Sequence, residues 1–118
     1  MPIKEEKNGV LFVDGEDVTK VAFALSSPTR LKILELLRAK EFMDIDEISK
    51  EVGKSKANIS TQIKILEDAG LVKTKYAQGK RGVKKICTSD VKEIVMLISP
   101  FNEEKGVERE ASTTQLTQ

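Results

Sequence analysis

The chain has 118 residues, 39% of them hydrophobic and 33% charged, which fits a single globular domain. No apolar run approaches the ~20 residues that span a bilayer, and the opening Met1-Pro-Ile-Lys-Glu-Glu-Lys7 lacks an apolar signal core, so a cytoplasmic protein that avoids the membrane is expected. Histidine is absent, Cys87 is the one cysteine and the net charge is +1, which excludes an internal disulfide and leaves an enzyme without the commonest general base and metal ligand.

Residues 1–16 read as an N-terminal segment, loose over 1–8, with a short strand at Val10-Leu11-Phe12-Val13 between two glycines. A domain is expected over 17–102. Asp17 caps a first helix whose Val18, Val21, Ala22 and Leu25 fall at i, i+3, i+4 and i+7. Ser27 then caps a second helix with Pro28 at its first position. Leu31, Ile33, Leu34, Leu36 and Leu37 surround most of that helix, the pattern of a central, largely buried element. Asp44 with Glu47 three residues on forms a capping box for a short helix ending at Gly53. Ser55 caps the next, which runs to about Ala69 with Gly70 beyond it. Only Gly53 and Lys54 separate these two helices, which forces a sharp crossing and gives the layout of a helix-turn-helix.

After Gly70 the period changes. Leu71 to Tyr76 alternates, Gln78-Gly79-Lys80-Arg81-Gly82 is a basic turn, and Val83 to Thr88 returns, giving a β-hairpin wing. Ser89 is expected to cap a last helix carrying Val91, Ile94, Val95 and Ile98 on one stripe, with Pro100 near its end. Residues 103–118 read as a flexible polar tail. The fold class is therefore mainly α with a small β-hairpin (α+β), a winged helix-turn-helix with helices at both ends.

The charge is unevenly spread. Residues 50–85 carry ten basic groups and three acids, a net of +7, while the rest of the chain is acidic. A localised basic stretch is the footprint of a polyanion binder, although a lysine-rich solvated surface would look the same. On a wheel of about 100° per residue, Ile59, Ile63 and Leu66 share the core face of the helix after Ser55. Ala57, Thr61 and Lys64 lie opposite, flanked by Asn58 and Ser60. That face is small and polar and has no acid before Asp68, as a major groove about 12 Å wide requires. Asn58 suits adenine edges, Ser60 and Thr61 several groups, and Lys64 guanine or phosphate. Lys54, Ser55 and Lys56 sit at the helix N-terminus, where phosphate is favoured. On the wing, Lys80 and Arg81 at the tip and Lys84 on the return face phosphate, or, for Arg81, a minor groove. The Gly79-Lys-Arg-Gly82 segment lacks the spacing of a nucleotide-binding P-loop.

Leu25-Ser-Ser-Pro-Thr-Arg-Leu-Lys-Ile-Leu-Glu-Leu-Leu37 resembles the opening of the second helix in ArsR-type winged-helix transcriptional regulators. Lys54-Ser-Lys-Ala-Asn-Ile-Ser-Thr-Gln-Ile-Lys-Ile-Leu-Glu-Asp-Ala-Gly-Leu-Val72 resembles their recognition helix and entry to the wing. The resemblance spans roughly residues 17–98. It implies a DNA-binding regulator acting as a repressor, with Ser60, Lys56, Ala57 and Thr61 as groove contacts. It also implies a homodimer built from the first and last helices, here Val18, Val21, Leu25, Ile94, Val95 and Ile98. The same stripes would also serve to close the core of one chain. Many family members sense metals through cysteines in the first helix of the motif or through histidines in the last helix. Glu41 to Ile48 has no cysteine and the last segment no histidine, so no metal and no cofactor are expected. Cys87 reads as an inert strand thiol, with a redox sensor as the other option.

The expected partners are double-stranded DNA and a second copy, with no effector readable. The alternative is a winged-helix protein-interaction module in a transcription or repair assembly, against which the basic stretch argues. No nucleophile–base pair supports an enzyme, and few aromatics argue against single-stranded RNA.

Overall fold

The computed structural model describes residues 4–98; the predicted tail and Pro100 lie outside them. In chain order the elements are β1 (Lys4–Lys7), β2 (Val10–Val13), α1 (Glu16–Leu25), α2 (Pro28–Lys40), β3 (Phe42–Asp44), α3 (Ile45–Val52), α4 (Lys56–Asp68), β4 (Lys73–Gly79), β5 (Gly82–Thr88) and β6 (Glu93–Met96). The fold is α+β, four helices with two three-stranded sheets of order β1-β2-β6 and β3-β5-β4.

The front of the chain is more ordered than its polarity suggests. Lys4–Lys7 pairs antiparallel with Val10–Val13, and Lys7 faces Val10 across a two-residue turn. Asn8 and Gly9 hold φ of 56° and 82°. Asn-Gly is the pair best suited to that doubly left-handed turn, and it outweighs the polar composition that read as loose. The first helix starts at Glu16 with Gly15 at its cap, so Asp17 lies within its first turn and is not the cap.

The expected last helix is a strand. Glu93–Met96 runs parallel to β2, with Leu11 opposite Ile94 and Val13 opposite Met96. Two causes act together. The run is β-branched at Val91, Ile94, Val95 and Ile98, which costs helix and suits sheet. The second edge of β2 also needs a partner, and the Lys92 and Leu97 N–H groups meet the Gly9 and Val13 carbonyls at 2.7 and 2.8 Å. Ser89 is accordingly not a helix cap. It is buried and donates its hydroxyl to the Leu71 carbonyl at 2.7 Å, locking the end of the wing to its beginning.

The remaining local signals act as their chemistry dictates. Ser27 accepts from the Arg30 N–H with Pro28 at the helix start. Asp44 and Glu47 complete a reciprocal capping box, and Ser55 accepts from the Asn58 N–H. Gly53 closes α3 at φ 76°, which allows the tight turn into α4. Beyond α4, the Leu71 N–H bonds the Leu66 carbonyl and the Gly70 N–H the Glu67 carbonyl, both at 2.9 Å, a Schellman closure.

One core joins all of this: Leu11 and Val13 from β2, Val21 and Ala24 from α1, Ile33 and Leu37 from α2, Ile48 from α3, Ile59, Ile63 and Leu66 from α4, and Cys87 from β5. Helix α2 is less enclosed than its leucines imply. Its buried stripe is Arg30, Ile33 and Leu37, whereas Leu31 is 44% exposed. An arginine thus shares the buried row of α2 with Ile33 and Leu37.

Candidate nucleic-acid interface

Helix α4 presents two unlike faces. Ile59, Ile63 and Leu66 are fully buried, while Ala57, Asn58, Ser60, Thr61 and Lys64 are exposed, as are Lys54, Ser55 and Lys56 at its start. The Thr61 hydroxyl donates back to the Ala57 carbonyl at 3.2 Å, so it offers lone pairs outward. The wing stands beside this helix. Strand β5 pairs with β4 from Lys73↔Thr88 to Gly79↔Gly82, which leaves Lys80 and Arg81 as the two residues of the tip. A third strand absent from the sequence expectation, β3, pairs Asp44 opposite Ile86 and joins the start of α3 to the wing. An open groove runs between the two, bordered by Ser60, Lys80, Arg81 and Lys84 together with Asp44, Asp46 and Lys50.

The predicted cations divide into two groups. Lys56 pairs with Asp46 at 3.2 Å, Lys64 with Asp68 at 3.4 Å and Lys84 with Asp44 at 3.3 Å. Lys54, Lys80 and Arg81 have no carboxylate within 4 Å among the described residues. The exposed pairs add little to stability because water screens them. The Lys84–Asp44 pair differs, since Asp44 is only 6% exposed. Burial opposes ionisation of Asp44, but the Glu47 N–H and the Lys84 ammonium outweigh it and hold its pKa below the ordinary 3.8. Lys84, expected to contact nucleic acid, is placed as a tie between wing and helix-turn-helix.

A second network was not anticipated. Arg30 is 7% exposed; it donates from Nε to the Ala24 carbonyl at 2.8 Å and from Nη2 to the Phe23 carbonyl at 2.9 Å, and its guanidinium stacks 4.9 Å from the Phe23 ring centre. These carbonyls end α1, which has no basic residue in its own last turn, so Arg30 supplies the cation that the helix terminus favours. Its third contact runs from Nη1 to Gln62 Oε1 on α4 at 2.6 Å, and Gln62 Nε2 donates to Asn58 Oδ1 at 3.3 Å. Two sequence signals pointed here: a charged residue in an apolar row of α2, and a Gln four residues after an Asn on one helix.

The residues grouped by resemblance as a dimer surface are spread apart. Val21 is fully buried in the chain's own core; Val18, Leu25 and Ile94 pack partly against it. Val95 lies opposite Phe12, on the sheet face away from buried Leu11 and Val13, and Ile98 is 92% exposed. Cys87 is buried, and burial pushes its thiol up to about 11 against the pull of Lys85. Among the described residues no three His, Cys, Asp or Glu side chains are grouped to hold a metal ion, and no helix is long and apolar enough to cross a membrane.

A helix pair joined by a glycine turn, followed by a basic hairpin, defines a winged helix-turn-helix DNA-binding domain. Residues 27–74 match the family model for bacterial regulatory proteins of the arsR family. A helix-turn-helix-type transcriptional regulator of Methanocaldococcus jannaschii, itself uncharacterised, is 35% identical over 83 residues, which cover 70% of this chain and 92% of that protein. Among solved structures, the homodimeric winged helix-turn-helix DNA-binding domain of a Mycobacterium bovis protein is similar with a TM-score of 0.56 and 20% identity, covering 86% of this chain and 78% of that one. A transcriptional regulator homologue of Pyrococcus horikoshii is similar with a TM-score of 0.51 and 22% identity, covering 87% and 95%. The chain belongs to the ArsR family of transcriptional regulators.

Proposed function

We propose that the protein is a sequence-specific repressor that binds double-stranded DNA as a homodimer in the cytoplasm, without the metal sites usual in its family. The observation that carries this is the small, polar, exposed face of α4 together with a basic wing whose Lys80–Arg81 tip borders an open groove that Ser60 of α4 also lines. Helix α4 enters the major groove, with Ala57, Asn58, Ser60, Thr61 and Lys64 toward base edges, and Lys54, Ser55 and Lys56 at its N-terminus toward phosphate. The wing tip follows the adjacent backbone or minor groove. The homodimer draws support from the Mycobacterium bovis domain, which is homodimeric. On this chain its surface is the exposed part of the terminal elements, Val95 and Ile98 together with the outer sides of Val18 and Leu25. A two-fold axis there would set two copies of α4 about 34–36 Å apart, one helical turn of DNA.

The test is binding of the purified protein to its own promoter fragment and to random duplex across a salt series, with sedimentation equilibrium of the free protein. Preference for the promoter, a steep salt dependence and a dimer are expected. Equal binding to both duplexes refutes sequence specificity, and no binding at low salt refutes the reading.

A further inference from the structure

Resting on that reading, we infer that Gln62, held by Arg30, sets the hydrogen-bonding polarity of Asn58 and so determines which class of base it selects. The argument starts from Arg30. A guanidinium carries only donors. Two of its nitrogens are fixed on the Phe23 and Ala24 carbonyls, so Nη1 is aimed at α4 with little freedom to turn. Gln62 meets it at 2.6 Å and must offer its carbonyl oxygen. The other end of the Gln62 amide is then an NH₂ group, which donates to Asn58 Oδ1 at 3.3 Å. Asn58 in turn has its oxygen engaged along the helix, which leaves its NH₂ group as the end of the amide available to an outside partner. A buried arginine thus removes the two-fold ambiguity of two successive amides, the second of which lies on the surface that faces DNA.

The consequence is a choice between base edges. An asparagine free to rotate offers one donor and one acceptor, the pairing that suits adenine N7 and N6. Asn58, with its oxygen turned toward Gln62 and one of its two lone pairs engaged there, presents its donors first. It favours a base that shows only acceptors in the major groove, guanine through N7 and O6 or thymine through O4, and disfavours the exocyclic amino groups of adenine and cytosine. Arg30 and Gln62 are positioning residues in this scheme, and Asn58 is the contact.

The experiment selects bound duplexes from a randomised pool with the full chain, and repeats it with Asn58→Ala, Gln62→Glu and Gln62→Leu. Thermal unfolding of each variant checks the fold. Asn58→Ala identifies the base pair read by this side chain, where the wild type is expected to prefer a keto base about tenfold. Gln62→Glu keeps a partner for Arg30 but can no longer donate. Asn58 then turns its NH₂ toward the carboxylate and its oxygen outward, and the preference at that one pair inverts to an amino base. Gln62→Leu removes the restraint and reduces the preference at that pair to near parity, with the other positions unchanged. A purely structural role for Gln62 would weaken all positions together and invert none. A preference abolished by Asn58→Ala but unaltered by either Gln62 variant refutes the relay and leaves DNA reading intact. A wild type that selects an amino base at that pair also refutes the relay, and one that selects no sequence removes both.

Discussion

Asp44 joins three elements through one carboxylate, and its replacement separates their contributions. Oδ1 accepts the Glu47 N–H at 2.8 Å at the start of α3, and Oδ2 faces Lys84 Nζ at 3.3 Å on β5. Asp44→Ala removes an N-cap, worth about 0.5–2 kcal/mol. It also frees Lys84, which is half exposed and can rehydrate, so the lost pair adds less than about 1 kcal/mol. The expected destabilisation of about 1–2 kcal/mol corresponds to a fall in Tm of roughly 5–15 °C for a domain of this size. Asp44→Asn keeps the cap, because Asn caps as well as Asp, and loses only the ion pair, so its Tm falls by at most a few degrees. The pH dependence has a fixed sign. The folded pKa of Asp44 is depressed, so its stabilisation is complete above the unfolded value near 3.8 and is lost as pH falls through the folded value. Thermal unfolding followed by circular dichroism at pH 7 and pH 3 checks this. The gap between wild type and Asp44→Asn should narrow as pH falls below about 3.8. A fall of under about 2 °C for Asp44→Ala at pH 7, or a gap that does not narrow at all between pH 7 and pH 3, refutes the assigned role.

Three further outcomes are expected. Ile63→Ala opens a cavity against a fully buried position of α4 and should cost about 2–5 kcal/mol in urea unfolding. Cys87, buried with its thiol near 11, should resist a thiol reagent at pH 7–8 in the native protein and react on unfolding; rapid native labelling would revive a redox role. Ile98→Asp changes a 92% exposed side chain, so Tm should hold while sedimentation equilibrium shifts from dimer to monomer.

What the sequence disclosed follows from how far each signal reaches along the chain. The caps at Ser27, Asp44 and Ser55 and the turn at Gly53 are local chemistry, and each appears in the structure at its expected place. The wing hairpin also forms, but its first strand runs from Lys73 to Gly79, two to three residues beyond the expected Leu71 to Tyr76. Elements that depend on a distant partner were misjudged. Glu93–Met96 is a strand because β2, some eighty residues earlier, offers it an edge, and its apolar run suits helix and strand periods alike. Phe42–Asp44 is short and pairs only because β5 returns beside it. The Asn8-Gly9 hairpin was legible in principle, since that pair is a strong local signal, but the charges around it masked it. The interface divides the same way. Helical spacing identified the exposed face of α4, whereas the acids that pair with Lys56 and Lys84 lie on α3 and β3, beyond any spacing rule.

That last difference decides which cations should govern affinity for DNA. A cation that brings its own carboxylate to the backbone neutralises little phosphate, and one without an acid neutralises a full charge. For B-DNA each neutralised phosphate adds about 0.9 to the slope of log K against log salt. Arg81→Ala and Lys80→Ala should therefore each flatten the slope by up to about 0.9 per chain bound. Lys84→Ala should leave it almost unchanged, because Asp44 sits 3.3 Å from that ammonium. Asp44→Asn should steepen it, since Lys84 is released while α3 keeps its cap. The same titration counts chains: a homodimer loses two contacts with every substitution, so a change near 1.8 for Arg81→Ala indicates two copies on the duplex and a change near 0.9 indicates one. Equal effects from Lys84→Ala and Arg81→Ala would show that the Asp44 pair opens on DNA, and the division of the cations drawn from the free protein would fail.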